Sequence, residues 1–121
     1  MSRLSDELRQ RTKRYASAVI RFYISLPRAR NEVEILGRQL LRSGTSVGSH
    51  AREASRARSD SEICSKLDGL LQEADESQLW IELLQEDCGI QNEAVERLHQ
   101  ETGELLAIFT TIVSRLRRRG S

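Results

Sequence analysis

The stretch Leu36-Gly37-Arg38-Gln39-Leu40-Leu41-Arg42-Ser43-Gly44-Thr45-Ser46-Val47-Gly48-Ser49-His50-Ala51-Arg52-Glu53-Ala54 decides the fold. Its glycines and hydroxyls suggest a phosphate-cradling loop. The spacing argues for a helix instead: Leu36, Leu40, Ser43, Val47, His50 and Ala54 recur at alternating steps of four and three, as one helical face does. A nucleotide-binding loop would need a Gly-Lys-Ser/Thr after the glycines and a strand before them, and the sequence provides neither. Beside the first face runs a second stripe of mostly small residues, Gly37, Leu41, Gly44, Gly48 and Ala51. An interior glycine costs a helix about 1 kcal/mol relative to alanine, so this stripe needs a packing reason. The expectation is close approach of another helix at Gly37, Gly44, Gly48 and Ala51.

Outward from this stretch, the composition points the same way. A chain of 121 residues with one proline and 4% aromatic residues has little material for turns and strands. Leu, Ala, Glu, Arg and Gln dominate, and these are helix formers. Apolar periodicity predicts four helices, over about 5–26, 30–58, 60–87 and 92–117. Leu8, Thr12, Tyr15, Val19, Phe22 and Leu26 form the inner face of the first, and Pro27 stops it. The third is announced by Ser59-Asp60-Ser61-Glu62, the sequence form of a capping box. Ile63, Leu67, Leu70, Ala74, Ser77, Ile81 and Leu84 are its core face. Cys88-Gly89-Ile90 reads as its stop and Asn92 as the cap of the fourth helix. There the predicted core face is Val95, Leu98, Thr102, Leu105, Phe109, Ile112 and Leu116. Four amphipathic helices with short connections predict a single all-α domain over 1–121, an antiparallel up-down-up-down bundle.

Charge is divided along the chain. Residues 1–58 carry thirteen Lys/Arg against five Asp/Glu, a net +8, whereas residues 59–121 carry six against thirteen, a net −7. Arg38, Arg42, Thr45, Ser49, Arg52 and Arg56 fall on one line of the second helix. Guanidinium groups in such a row can follow a phosphate backbone, or they can pair with acidic helices of the same or a neighbouring subunit. The candidate nucleic-acid contacts are therefore Arg38, Arg42, Arg52, Arg56 and Arg58, with Arg115, Arg117, Arg118 and Arg119 at the C-terminus. At a helix C-terminus those last four also complement the dipole. Arg52, Arg56 and Trp80 are the candidate interface residues.

The chemistry of enzymes is missing. The acidic third helix lacks the Glu-x-x-His pairs of di-metal bundles, and two histidines with two cysteines, Cys64 and Cys88, do not have zinc-site spacing. On one straight helix those cysteines stand about 36 Å apart, too far for a disulfide, and free thiols fit a reducing compartment. His50 and His99 read as buried or capping side chains. No catalytic residue, metal or cofactor is expected. The polar, acidic start Met1-Ser2-Arg3-Leu4-Ser5-Asp6-Glu7 lacks a signal peptide's apolar core. No apolar run is long enough to span a membrane, so a cytoplasmic location is expected.

Gln39-Leu40-Leu41-Arg42-Ser43-Gly44-Thr45-Ser46-Val47-Gly48, followed by Arg52-Glu53-Ala54 and Arg56-Ala57-Arg58-Ser59, resembles the signature of a bacterial family. Its members are four-helix-bundle proteins encoded in intervening sequences of 23S ribosomal RNA genes. Lys66-Leu67, Glu73-Ala74-Asp75-Glu76, Trp80-Ile81-Glu82-Leu83-Leu84 and Ile108-Phe109 extend the resemblance over nearly the whole chain. Ser49-His50-Ala51 departs from it, standing where the family usually carries Ala-Asn-aromatic. The resemblance implies a bundle assembled as a ring-shaped homopentamer, with no established catalytic activity. The accessory variability determinants of diversity-generating retroelements are similar in fold, and that similarity implies RNA or a reverse transcriptase as partner. The expected function is thus a non-catalytic, oligomeric, RNA-associated bundle. The alternative is a structural adapter or reverse-transcriptase accessory protein whose charged halves serve protein contacts only.

Overall fold

A computed structural model describes residues 4–120. It is all-helical among the described residues: α1 (Asp6–Ser25), α2 (Asn31–Ser55), α3 (Asp60–Glu86) and α4 (Glu93–Gly120). Three of the four starts are capped by a side chain that satisfies an orphan amide. Ser5 Oγ accepts from the Leu8 N–H at 3.2 Å, Ser59 Oγ from Glu62 at 3.1 Å, and Asn92 Oδ1 from Val95 at 2.8 Å. α2 has no side-chain cap, but Glu32 and Glu34 in its first turn meet the positive end of the dipole.

The ends correct two expectations. α2 stops at Ser55, short of Arg58. The Arg56 and Ala57 amides bond three residues back, to Glu53 and Ala54, and Ser59 is fully extended to cap α3, so residues 56–58 are consumed by the reversal. α4 runs on to Gly120, past 117. After α3, Gly89 takes φ +70, the left-handed conformation that lets the Cys88 and Ile90 amides close onto the Leu83 and Leu84 carbonyls. Ile90 folds back into the core.

α2 lies between α1 and α3, and α4 lies against α3; α1 and α4 touch far less than the other three neighbouring pairs. The small stripe explains the α1–α2 approach. A Cβ at Gly44 would sit 2.8 Å from Val19 Cγ2, one at Gly37 2.8 Å from Leu26 Cδ1, and one at Gly48 3.5 Å from the Thr12 carbonyl oxygen. Side chains of α1, and at Gly48 its backbone, thus occupy the space that larger residues would need. This shifts the buried face of α2 from the expected one. Val33, Gly37, Leu40, Ser43, Gly44, Val47, Ala51 and Ala54 are buried, so Leu40, Ser43, Val47 and Ala54 of the expected face hold, while Leu36 and His50 are only half-buried. The cause is that two neighbours, α1 and α3, cover both stripes at their shared edge. In α4 the face continues from Phe109 to Val113 by a step of four, leaving Ile112 and Leu116 half-buried.

At mid-height the core is polar. Tyr15 and Thr102 hydroxyls lie 2.7 Å apart between α1 and α4, and Ser43 and Ser77 hydroxyls 2.7 Å apart between α2 and α3. Thr102 donates to the Leu98 carbonyl of its own helix, so Tyr15 is the donor across to α4, while Ser43 and Ser77 each also reach a carbonyl of their own helix, Leu40 and Glu73. Burial raises the Tyr15 phenol pKa above its ordinary value. Every hydroxyl in this layer is satisfied, the condition under which buried polar groups stabilise rather than cost.

Candidate nucleic-acid interface

The line of arginines on α2 divides by what each side chain meets. Arg38 donates to Glu34, one turn earlier, at 2.8 Å, and that bond raises its pKa. Arg42 spans to α3, reaching Glu73 at 3.3 Å and Glu76 at 3.2 Å. Arg52 and Arg56, one turn apart, are exposed and have no carboxylate within ion-pair distance among the described residues. Arg58 is exposed in the α2–α3 connection.

Arg52 and Arg56 border a groove of 650 Å³ where α1, α2 and the start of α3 converge. Ala16 and Gly48 are recessed between its walls, so the small residues that let α1 approach also leave the depression. Arg9 and Lys13 stand on the α1 wall and Lys66 on the α3 wall. Against these five cations the lining includes two carboxylates, Glu53 and Glu62. Glu53 meets Lys66 at 3.3 Å and His50 Nδ1 at 3.4 Å. Arg9 bonds Asp6 in its own turn. Lys13, Arg52 and Arg56 remain without a carboxylate partner among the described residues. Cations along a groove with an uncharged floor suit a chain of phosphates, which brings negative charge and no need for apolar contact.

The C-terminal arginines lie elsewhere. Arg117 pairs with Asp68, and Arg119 reaches Asp60 at 2.9 Å, both on α3. Arg115 and Arg118 are exposed on the same last turns. Much of the acidic charge of α3 is therefore engaged within the bundle. His99 adds to this pattern, with Nε2 3.0 Å from Glu82 Oε2. His50 rests on Gly69, where a Cβ would come within 2.8 Å of its ring. Trp80 is half-buried against the core, with its Nε1 buried and lacking an acceptor. Ala51 is fully buried.

Arg9, Lys13 and Lys66 were not among the residues that the sequence singled out for this surface. The signal for the first two was present: Arg9 and Lys13 are one turn apart, and setting Gly48 against Thr12 and Ala16 aligns them with Arg52. Lys66 was beyond reach, because it depends on the α2–α3 reversal.

Comparison with curated proteins finds no match. A solved structure is similar: the crystal structure, at 1.70 Å, of a protein of unknown function from the S23 ribosomal protein family of Bacteroides thetaiotaomicron VPI-5482. The two share 30% identity and a TM-score of 0.78 over 87% of this chain and 96% of that one. The model of the 23S rRNA-intervening sequence proteins matches residues 6–111. With four helices, the glycine-stripe packing and a match over that span, the chain belongs to the 23S rRNA-intervening sequence protein family.

Proposed function

We propose that this protein is a non-catalytic, RNA-associated bundle whose phosphate-contacting surface is the α1–α2 groove. The observation that carries the reading is the convergence of Lys13, Arg52 and Arg56 on one small-floored groove without carboxylate partners among the described residues. Ion pairs on a surface contribute little stability, so unpaired cations held one turn apart serve the fold poorly and a polyanion well. Arg38, Arg42, Arg117 and Arg119, each paired within the chain, fall outside this surface. We also propose an antiparallel up-down-up-down arrangement assembled as a homopentamer. Supporting the first is the order of contacts, with Gly37, Gly44 and Gly48 meeting Leu26, Val19 and Thr12 in turn. Supporting self-association are Ile20 and Ile24, one turn apart on α1, and Ile35 on α2, all exposed to solvent.

Charge reversal separates this reading from the adapter reading, in which Arg52 and Arg56 meet carboxylates of a neighbouring subunit or of a protein such as a reverse transcriptase. The double variant Arg52→Glu/Arg56→Glu is titrated with structured RNA and sized by light scattering. Lost RNA binding with unchanged mass supports the phosphate surface. Retained RNA binding, or dissociation into smaller species, overturns it.

A further inference from the structure

On the opposite side of α1 lies a second groove, of 840 Å³, between α1 and α4. It exists because these two helices make the thinnest contact among neighbouring pairs, with Ala18 on one wall and Ala94 on the other leaving the space open. Phe22 and Leu98 form an apolar floor, and Arg14, Arg21 and Arg97 stand on the rim. The lining carboxylate, Glu101, is occupied: Arg11 donates to both of its oxygens, at 2.8 and 2.7 Å. Arg97 has only an exposed contact with Glu93, at 3.5 Å, of a kind worth little in water. Arg14 and Arg21 have no carboxylate partner among the described residues.

We propose that this groove docks an acidic amphipathic helix of a partner protein, with an apolar stripe against Phe22 and Leu98 and carboxylates facing the arginine rim. Three features support that occupant over RNA or a second copy. Its floor is apolar, as a helix-in-groove contact requires and a phosphate chain does not. Arg14 and Arg21 are two turns apart, about 10 Å along the axis, matching carboxylates at i and i+7 of a facing helix. Among the described residues the large exposed apolar side chains Ile20, Ile24 and Ile35 lie on α1 and α2 and only Leu79 on the acidic α3, so a second copy offers no helix that combines an apolar stripe with flanking carboxylates. The inference is independent of the RNA surface, which uses the other face of α1.

The probe is a fluorescein-labelled synthetic helix of about five turns, with leucines at i, i+4, i+7 and i+11 and glutamates on both flanks, added to the full chain. Expected are saturable anisotropy and a loss of affinity of about tenfold or more in Arg14→Glu/Arg21→Glu, with weakening at higher salt. Ala18→Trp, which fills the groove, gives the same loss, while Arg52→Glu/Arg56→Glu binds the peptide as the parent does. Circular dichroism confirms that each variant is folded. The proposal is overturned by any of three results: no binding, equal binding of the charge-reversed protein or of a peptide with lysines for glutamates, or competition by structured RNA that the Arg14/Arg21 reversal removes. It is equally overturned if light scattering shows that Ala18→Trp splits an assembly, since the occupant is then a second copy.

Discussion

Replacing Gly44 and Gly48 by alanine, separately, measures how tightly α1 lies on α2. At Gly44 the new Cβ would fall 2.8 and 2.9 Å from the two methyl carbons of Val19 and 3.2 Å from its Cβ. Val19 is completely buried, and a β-branched side chain in a helix has one strongly preferred rotamer. It cannot swing away, so the helices must part, and overpacking of this kind costs about 1–3 kcal/mol. Against that stands the gain of about 1 kcal/mol for alanine over glycine within a helix. At Gly48 the nearest atoms are the Thr12 oxygen at 3.5 Å and Ala16 Cβ at 3.6 Å, ordinary contact distances. Only the propensity gain remains there, so Gly48→Ala stabilises by up to about 1 kcal/mol. The propensity gain is common to both sites and cancels in their difference, which isolates the clash: Gly44→Ala is the less stable of the two by about 1–3 kcal/mol. Urea unfolding at one fixed protomer concentration reads this as a difference in midpoint at equal slope. Thermal melts read it as roughly 4 °C per kcal/mol. Equal stability of the two variants, or a more stable Gly44→Ala, would refute the close packing of α1 on α2.

Tyr15→Phe removes the cross-bundle bond while Thr102 keeps its partner at Leu98, so unfolding titrations should show a loss of about 1 kcal/mol. Gly89→Ala forces a side chain onto φ +70 and should cost about 1–2 kcal/mol by the same assay. Hydrogen bonds from Gln100 and Arg11 hold the Glu104 carboxyl below its ordinary value of 4.5. A depressed folded pKa stabilises above the unfolded value and stops doing so as pH falls through the folded one. The melting-temperature advantage of the parent over Glu104→Gln should therefore be present at neutral pH and close in acid below 4.5.

The helices were legible because their apolar period, caps and breakers agree. Ser5, Ser59 and Asn92 cap where their residue types say they should, and Gly89 turns where a left-handed residue is needed. What periodicity does not contain is which neighbour covers which stripe. Leu36 looked as good a core position as Gly37, and only the presence of α1 on the glycine side makes Gly37 the deeper of the two. The same limit applies to the arginines. Arg38, Arg42, Arg52 and Arg56 are equivalent on a helical projection, yet Glu34, Glu73 and Glu76 engage the first two and no carboxylate among the described residues reaches the others. That division depends on distances between helices. The groove shared by Lys13, Arg52 and Lys66 joins residues from three elements, and it emerges only when the α2–α3 reversal brings Lys66 beside Glu53.

The most direct test of the phosphate surface is the salt dependence of RNA affinity for the parent, for Arg52→Ala/Arg56→Ala and for Arg38→Ala/Arg42→Ala. Each lost phosphate contact lowers the slope of log K against log salt by about 0.7–0.9. If the groove binds phosphates, the parent slope is steep, Arg52→Ala/Arg56→Ala flattens it by about 1.5–2, and Arg38→Ala/Arg42→Ala leaves it unchanged. A parent slope near zero, or equal flattening by both pairs, would contradict it.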